Sequence, residues 1–420
     1  MSSQAPPGHR QGLADAARTT GRAAVGGTLA FATLIVVGQL LGVVGFLLVG
    51  GYGLWSWAKV GLLAALLSLR ADVVGTARGA PVFGGADVSI GLHLRFVPMV
   101  LTIGFLVLAA AAGRRAVRAW WERAPLLAAG LAAVGAAVPT ALLAMTCATL
   151  VRVSFPLFDL RLRVDIASAG LWTAALTAAG AGIGAFLEAA RGRAAASAVR
   201  GGLTAYAWAL GLLAIGVFVV ATLEPAVTRG YVDALSSVGT GGGILFSAHL
   251  LAIPAQSALL FAPAAGSCLE LVGEGSLFEL CPWHLAASGP AGGMLFPDAL
   301  PLSPWLWLLS PIPAVAATLG GRRSIAGTTT AAGRTAGLGA GAGVAFASLV
   351  VVGGWVVAPQ LSSDFIPARE ISMHPAWAGT ALAALLWGVA GGVLGAFSPG
   401  EATRSLSSRD PLPRSSTRSW

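Results

Sequence analysis

Long uncharged apolar runs, punctuated by short clusters of arginine, constrain this chain more than any other feature. Val25–Gly50, Leu203–Leu223 and Ala376–Phe397 each carry no charged residue. About 20 apolar residues suffice for a helix to cross a bilayer's hydrocarbon core. Between such runs stand Arg114, Arg115, Arg118 and Arg123, then Arg191, Arg193 and Arg200, then Arg322 and Arg323. A water-soluble core has no place for so much continuous apolar surface, so the pattern dictates a polytopic α-helical membrane protein.

Composition agrees. The chain is 56% hydrophobic and 10% charged, with mean hydropathy +0.80, whereas soluble domains carry about 25% charged residues. Glycine is 57 of 420 residues, and small residues let membrane helices approach closely. The first apolar run is too long for the core of a cleaved signal peptide, so it reads as a retained first helix. Residues 1–22 and 399–420 read as disordered cytoplasmic tails, the latter rich in Ser, Arg and Pro.

Eight spans are expected, at Val25–Gly50, Val97–Ala112, Pro125–Leu150, Gly170–Ala189, Leu203–Leu223, Pro304–Leu319, Gly337–Val357 and Ala376–Phe397. Two further apolar stretches are ambiguous. Val60–Leu69 is too short to cross, and Ile244–Ala262 is interrupted by Pro254. The positive-inside rule settles their parity. If both stretches enter and leave on one side, the cytoplasmic segments hold 17 Lys+Arg against 5 Asp+Glu. The exterior segments then hold 9 against 12. Both stretches therefore read as re-entrant or interfacial helices, with both termini cytoplasmic in a cell membrane. The excess of +9 follows this sidedness, so it points to anionic lipid rather than nucleic acid.

The sequence also looks duplicated, with membrane repeats at residues 23–200 and 201–398. Gly113–Arg114–Arg115 is echoed by Gly321–Arg322–Arg323, Trp172 by Trp377, and Gly180 with Gly184 by Gly388 with Gly392. Both halves start on the cytoplasmic side, so the repeats would be parallel, about a pseudo-twofold axis along the membrane normal. Between spans, Asp87–Phe96 and Phe158–Ile166 alternate polar and apolar residues, with a weaker case at Cys268–Leu271. Alternation at period two marks half-buried strands. The fold expected is thus an all-α polytopic bundle of two parallel repeats, each of about four spans plus a re-entrant helix, under a small exterior β-rich cap.

Few residues offer chemistry. Lys59 directly precedes the first ambiguous stretch and His249 lies within the second, in the similar segments Ser56–Lys59 and Phe246–His249. Together with Gln39 and Gln256 they are the substrate-binding candidates. The plainer reading puts Lys59 at the interface beside Trp55 and Trp57. It bonds His249 to a carbonyl freed by Pro254, and makes both glutamines bridges between helices. Cys268 and Cys281 both fall in exterior loops, where oxidation is possible, and a disulfide between them would staple the largest loop. Cys281–Pro–Trp–His284 is not a zinc spacing, so no metal is assigned. No cofactor motif, nucleophile–base arrangement or phosphate loop stands out, and the reading is non-enzymatic. Two function classes remain, an envelope membrane-protein scaffold and a transporter or channel with its site between the repeats.

Thr204–Ala–Tyr–Ala–Trp–Ala, Phe246–Ser–Ala–His–Leu–Leu–Ala–Ile–Pro254 and Gly320–Gly–Arg–Arg323 resemble the streptophobe family. These are Streptomyces-type integral membrane proteins of about this length, with no established activity. The layout is also distantly similar to the permease-like cell-division membrane proteins of actinobacteria. That likeness implies a role in envelope assembly or division alongside a membrane-protein partner.

Overall fold

The computed structural model describes residues 7–49, 54–78, 89–117, 124–155, 160–223, 241–273, 276–280, 308–326, 332–363 and 370–398, with positions 229 and 233. The first half runs α1 (Pro7–Val49), α2 (Leu54–Ser68), β1 (Val73–Arg78), β2 (Ser89–Arg95), α3 (Met99–Ala116), α4 (Pro125–Leu150), β3 (Arg152–Phe155), β4 (Leu160–Val164) and α5 (Ile166–Ala189). The second half follows the same order among the described residues. It comprises α6 (Ala194–Leu223), α7 (Gly241–Ala264), β5 (Leu269–Gly273), β6 (Ser276–Leu280), α8 (Ile312–Ile325), α9 (Ala332–Val357), β7 (Gln360–Ser363), β8 (Glu370–Pro375) and α10 (Trp377–Phe397).

Among the described residues, seven helices are long and apolar enough to cross a membrane: Ala14–Gly45, Met99–Ala116, Pro125–Leu150, Ile166–Ala189, Ala194–Val219, Ala332–Val357 and Trp377–Phe397. Their side chains are distributed inside out. Alanines such as Ala109, Ala144, Ala181 and Ala205 fill the interior, while Leu126, Leu171, Leu386 and Leu394 project outward, each more than 60% exposed. Water would penalise that arrangement; hydrocarbon does not, and small interfacial residues give the helices their packing contacts. The chain is therefore a multi-pass membrane protein associated with a lipid bilayer.

The expected eighth span is a correction. Of the segment Pro304–Leu319, residues 304–307 lie outside the described residues, and α8 is only 14 residues long. Pro311 and Pro313 flank its first residue, and proline is favoured in a helix's first turn. Its last turn already holds Arg322 and Arg323. The expected disordered N-terminal tail is a second correction, because residues 7–22 are the first turns of α1. Good helix formers and the Asp15–Arg18 ion pair, three residues apart at 3.2 Å, support helix there. Residues 399–420 lie outside the described residues.

Similar close helix contacts occur in the two halves. An added Cβ at Gly180 would sit 2.9 Å from Ala109 Cβ, and one at Gly391 would sit 2.7 Å from Ala317 Cβ. At Gly184 it would sit 1.9 Å from the Ala110 carbonyl oxygen, and at Gly395 2.0 Å from that of Thr318. The partner of the Gly180/Gly184 stripe is thus Gly391/Gly395, three residues beyond the Gly388/Gly392 match expected from sequence. Trp172 and Trp377 do not correspond either, for α5 opens with Ile166 and α10 with Trp377.

All eight strands among the described residues join one antiparallel sheet, in the order β3-β4-β1-β2-β7-β8-β5-β6. Each half contributes four neighbouring strands in the same internal order. Their seam is β2 against β7, pairing Leu92 with Ser363, His93 with Ser362, Leu94 with Leu361 and Arg95 with Gln360. The alternating segments became β2, β4 and β5 as expected. The sheet is larger than expected because β1, β3, β6, β7 and β8 are short or lack clean alternation, and pair only through tertiary structure.

Candidate functional site

The four residues first singled out lie on three helices, Gln39 on α1, Lys59 on α2 and His249 with Gln256 on α7, and the structure separates them. Gln39 Nε2 donates to the Ala58 carbonyl at 3.0 Å, tying α1 to α2. Lys59 Nζ lies 5.9 Å from the Trp55 ring centroid, an interfacial cation–π contact. Gln256 is half-buried on α7 and engaged. His249 lies in the same helix, its side chain outside the described residues. Equivalent hydrogen bonds at the two helix ends, Ala71 N–H to Leu66 O and Ser267 N–H to Ala262 O, align Lys59 with Ala255. In that alignment Lys59 stands six residues away from the position of His249.

Where α2 ends, a different cation stands out. The chain closes the helix with Arg70 N–H bonded to Leu67 O at 2.8 Å and Ala71 N–H to Leu66 O at 3.2 Å. This pair of bonds is a Schellman ending, which requires a left-handed residue where the helix stops. In α7 that residue is Gly266, with φ +90°; in α2 it is Arg70, with φ +62°. Glycine adopts this conformation without steric penalty, whereas a residue with a Cβ costs about 1–2 kcal/mol.

The Arg70 side chain offsets that cost with unusual contacts. Its guanidinium carbon lies 3.9 Å from the Trp172 ring centroid and 4.4 Å from that of Trp355. The two rings are 5.0 Å apart and tilted by 54°, so the cation occupies the angle between them. Trp172 belongs to α5 of one half and Trp355 to α9 of the other. Arg70 is only 3% exposed, and its Nε and Nη1 have no hydrogen-bond partner among the described residues. Burial, and then repulsion from Arg95, lowers its pKa to about 10, with Asp72 acting the other way.

Two residues on, Asp72 receives a bidentate pair from Arg95, Nε to Oδ1 at 2.6 Å and Nη2 to Oδ2 at 3.0 Å. Arg95 Nη1 donates across the seam to Gln360 Oε1. Asp72 N–H donates to Ser168 Oγ at 2.9 Å, and Asp165 caps α5 by accepting from Ser168 N–H at 2.7 Å. Burial acts to raise the Asp72 pKa, but the Arg95 hydrogen bonds and charge, with Ser168 and His93, hold it below the usual carboxylate range. Arg70, Asp72 and Arg95 form one charged junction, through which both halves meet beneath the sheet.

At the corresponding place in the second half, one step before β5, stands Cys268, which is disulfide-bonded. Cys147 is a free thiol. Cys281, the third cysteine of the chain, lies outside the described residues, as does His284. Among the described residues no three His, Cys, Asp or Glu side chains converge to hold a metal.

Sequence reasoning missed the Arg70 junction because its partners are 102 and 285 positions away. A local signal did exist: an arginine directly after an apolar helix, where glycine is the usual terminator.

A second feature lies on the sheet. Arg152, Arg161 and Arg163 are exposed around a concavity of about 690 Å³ that also touches Val74, Thr76 and Ser154. Arg152 stands directly opposite Arg163 on the neighbouring strand. Such a like-charge pair is destabilising in isolation. Strand β3 ends the sheet on this side.

No family model, curated protein or solved structure matches the chain.

Proposed function

We propose that the chain is a non-enzymatic membrane scaffold of two duplicated, parallel halves, with both termini cytoplasmic and the sheet forming an exterior cap. It docks an acidic segment of an envelope membrane protein on the face bearing Arg152, Arg161 and Arg163. One observation carries this reading. Three arginines, two of them directly opposed, surround a concavity beside a strand at the sheet's end. An anionic partner relieves the repulsion, and an edge strand can accept another strand. The streptophobe-like and division-protein-like segments fit a partner in an actinobacterial envelope.

The β2–β7 ladder also weighs toward a scaffold. A transporter of two repeats rocks one half against the other. Here that motion would break the seam, the Arg95–Gln360 bond and the Arg70 clamp together. Strand β2 is paired on both sides, so it offers a partner no free edge, whereas β3 does.

Purification of the tagged protein from native membranes in mild detergent tests the reading. The R152E/R163E variant should fold and lose a partner that the wild type retains. An unchanged set of co-purifying proteins would rule the docking face out.

Transport remains the second reading, supported by the apolar helices α2 and α7 at matching places in the order of the two halves. It requires a measurable flux that K59A or H249A abolishes without unfolding the protein. Wild-type flux in both variants would remove these two cations from the pathway.

A further inference from the structure

At the arginine-bearing end of the bundle, two grooves occupy the same place in the two halves. The first, about 660 Å³, lies between α1 and α3, with Arg18, Arg22 and Arg115 at one end and Val25, Leu29 and Leu108 along its walls. The second, about 280 Å³, lies between α6 and α8 and is lined by Thr204, Trp208, Leu319, Arg322 and Arg323. The close approaches of Gly26 to Ala112 and of Gly201 to Gly320 put Arg115 and Arg323 at equivalent positions.

The first groove is graded along its length. Arg18, Arg22, Val25, Leu29 and Thr33 follow one helical stripe of α1, so charge gives way to apolar surface within about two turns. Val25 and Leu29 are more than 60% exposed, facing where lipid lies. Arg18 pairs with Asp15, but among the described residues Arg22 and Arg115 have no acidic partner, and neither do Arg322 and Arg323. Exposed guanidinium donors above an apolar channel match a phosphate with an acyl chain beneath it.

We propose that each groove holds one anionic phospholipid, its head-group phosphate on the arginines and part of an acyl chain along the helix walls. The proposal rests on the bilayer reading of the seven helices and goes beyond it, because general lipid contact needs no particular head group.

The test uses full-length protein in nanodiscs of phosphatidylcholine with one-fifth phosphatidylglycerol. Lipids retained on release into mild detergent are counted by native mass spectrometry. The wild type should retain up to two phosphatidylglycerols per chain, in preference to phosphatidylcholine. R22Q/R115Q should lose one and R322Q/R323Q the other, each by about tenfold or more in retention. These side chains are exposed, so melting curves should stay unchanged and separate lost binding from lost folding. Equal retention of the two lipids, or retention indifferent to the four arginines, would overturn the proposal. Failure of the protein to enter nanodiscs at all would instead count against the bilayer reading.

Discussion

Arg70 and Gly266 end the apolar helices α2 and α7 with the same hydrogen bonds and the same left-handed turn, at φ +62° and +90°. Glycine does so freely. Arginine is strained there, and its guanidinium is held between tryptophans from both halves. A strained residue with a fixed side chain points to a role in that side chain rather than in the turn.

Arg70→Gly and Arg70→Ala therefore separate backbone from side chain. Both lose the contacts with Trp172 and Trp355, but only alanine keeps the strain. The glycine variant should be the more stable by about 1 kcal/mol. Thermal melting in detergent of the two purified variants measures this directly. Equal melting would show that the turn is unstrained.

The Asp72–Arg95 pair gives a pH dependence of defined sign. The Asp72 pKa is lowered in the folded protein, so its contribution is complete above the ordinary carboxylate value. It is lost as pH falls below about 4. At pH 7, Asp72→Asn should cost about 1–3 kcal/mol, and its melting temperature should fall less between pH 5 and pH 3 than that of the wild type. Parallel acid profiles would remove the pair from the stability of the junction.

Glycine substitutions should divide sharply by place. A Cβ at Gly184 or Gly395 would lie about 2 Å from a backbone oxygen of the neighbouring helix, so alanine there must force α3 from α5, or α8 from α10. Gly104 and Gly130 have nothing within 4 Å of an added Cβ. Alanine at these two should be neutral or stabilise by up to about 1 kcal/mol. Detergent melting of the four variants compares them. Similar behaviour of both classes would contradict the packing register.

Cysteine labelling checks the oxidised state. Cys268 is disulfide-bonded and Cys147 is a free thiol. Denatured, unreduced protein should therefore take up one maleimide, on Cys147. Reduction should expose Cys268 as well. Labelling of Cys268 without reductant would show that the bond is absent.

The sequence by itself determined the solvent and the class of fold. Runs of about 20 uncharged residues can lie only in hydrocarbon, and arginine clusters end them, because both are local properties of the chain. It also determined β2, β4 and β5, whose alternation is visible in a few residues. Tertiary structure alone decided the register of the two halves. Among Ala/Gly/Leu-rich helices several alignments score alike, and only the backbone contacts of Gly180, Gly184, Gly391 and Gly395 select one. It also decided the eight-stranded sheet, whose five other strands are short or lack clean alternation and so do not declare themselves without partners. The Arg70 junction was hidden for the same reason: a guanidinium between two tryptophans is a matter of distance in space, and its three residues lie far apart along the chain.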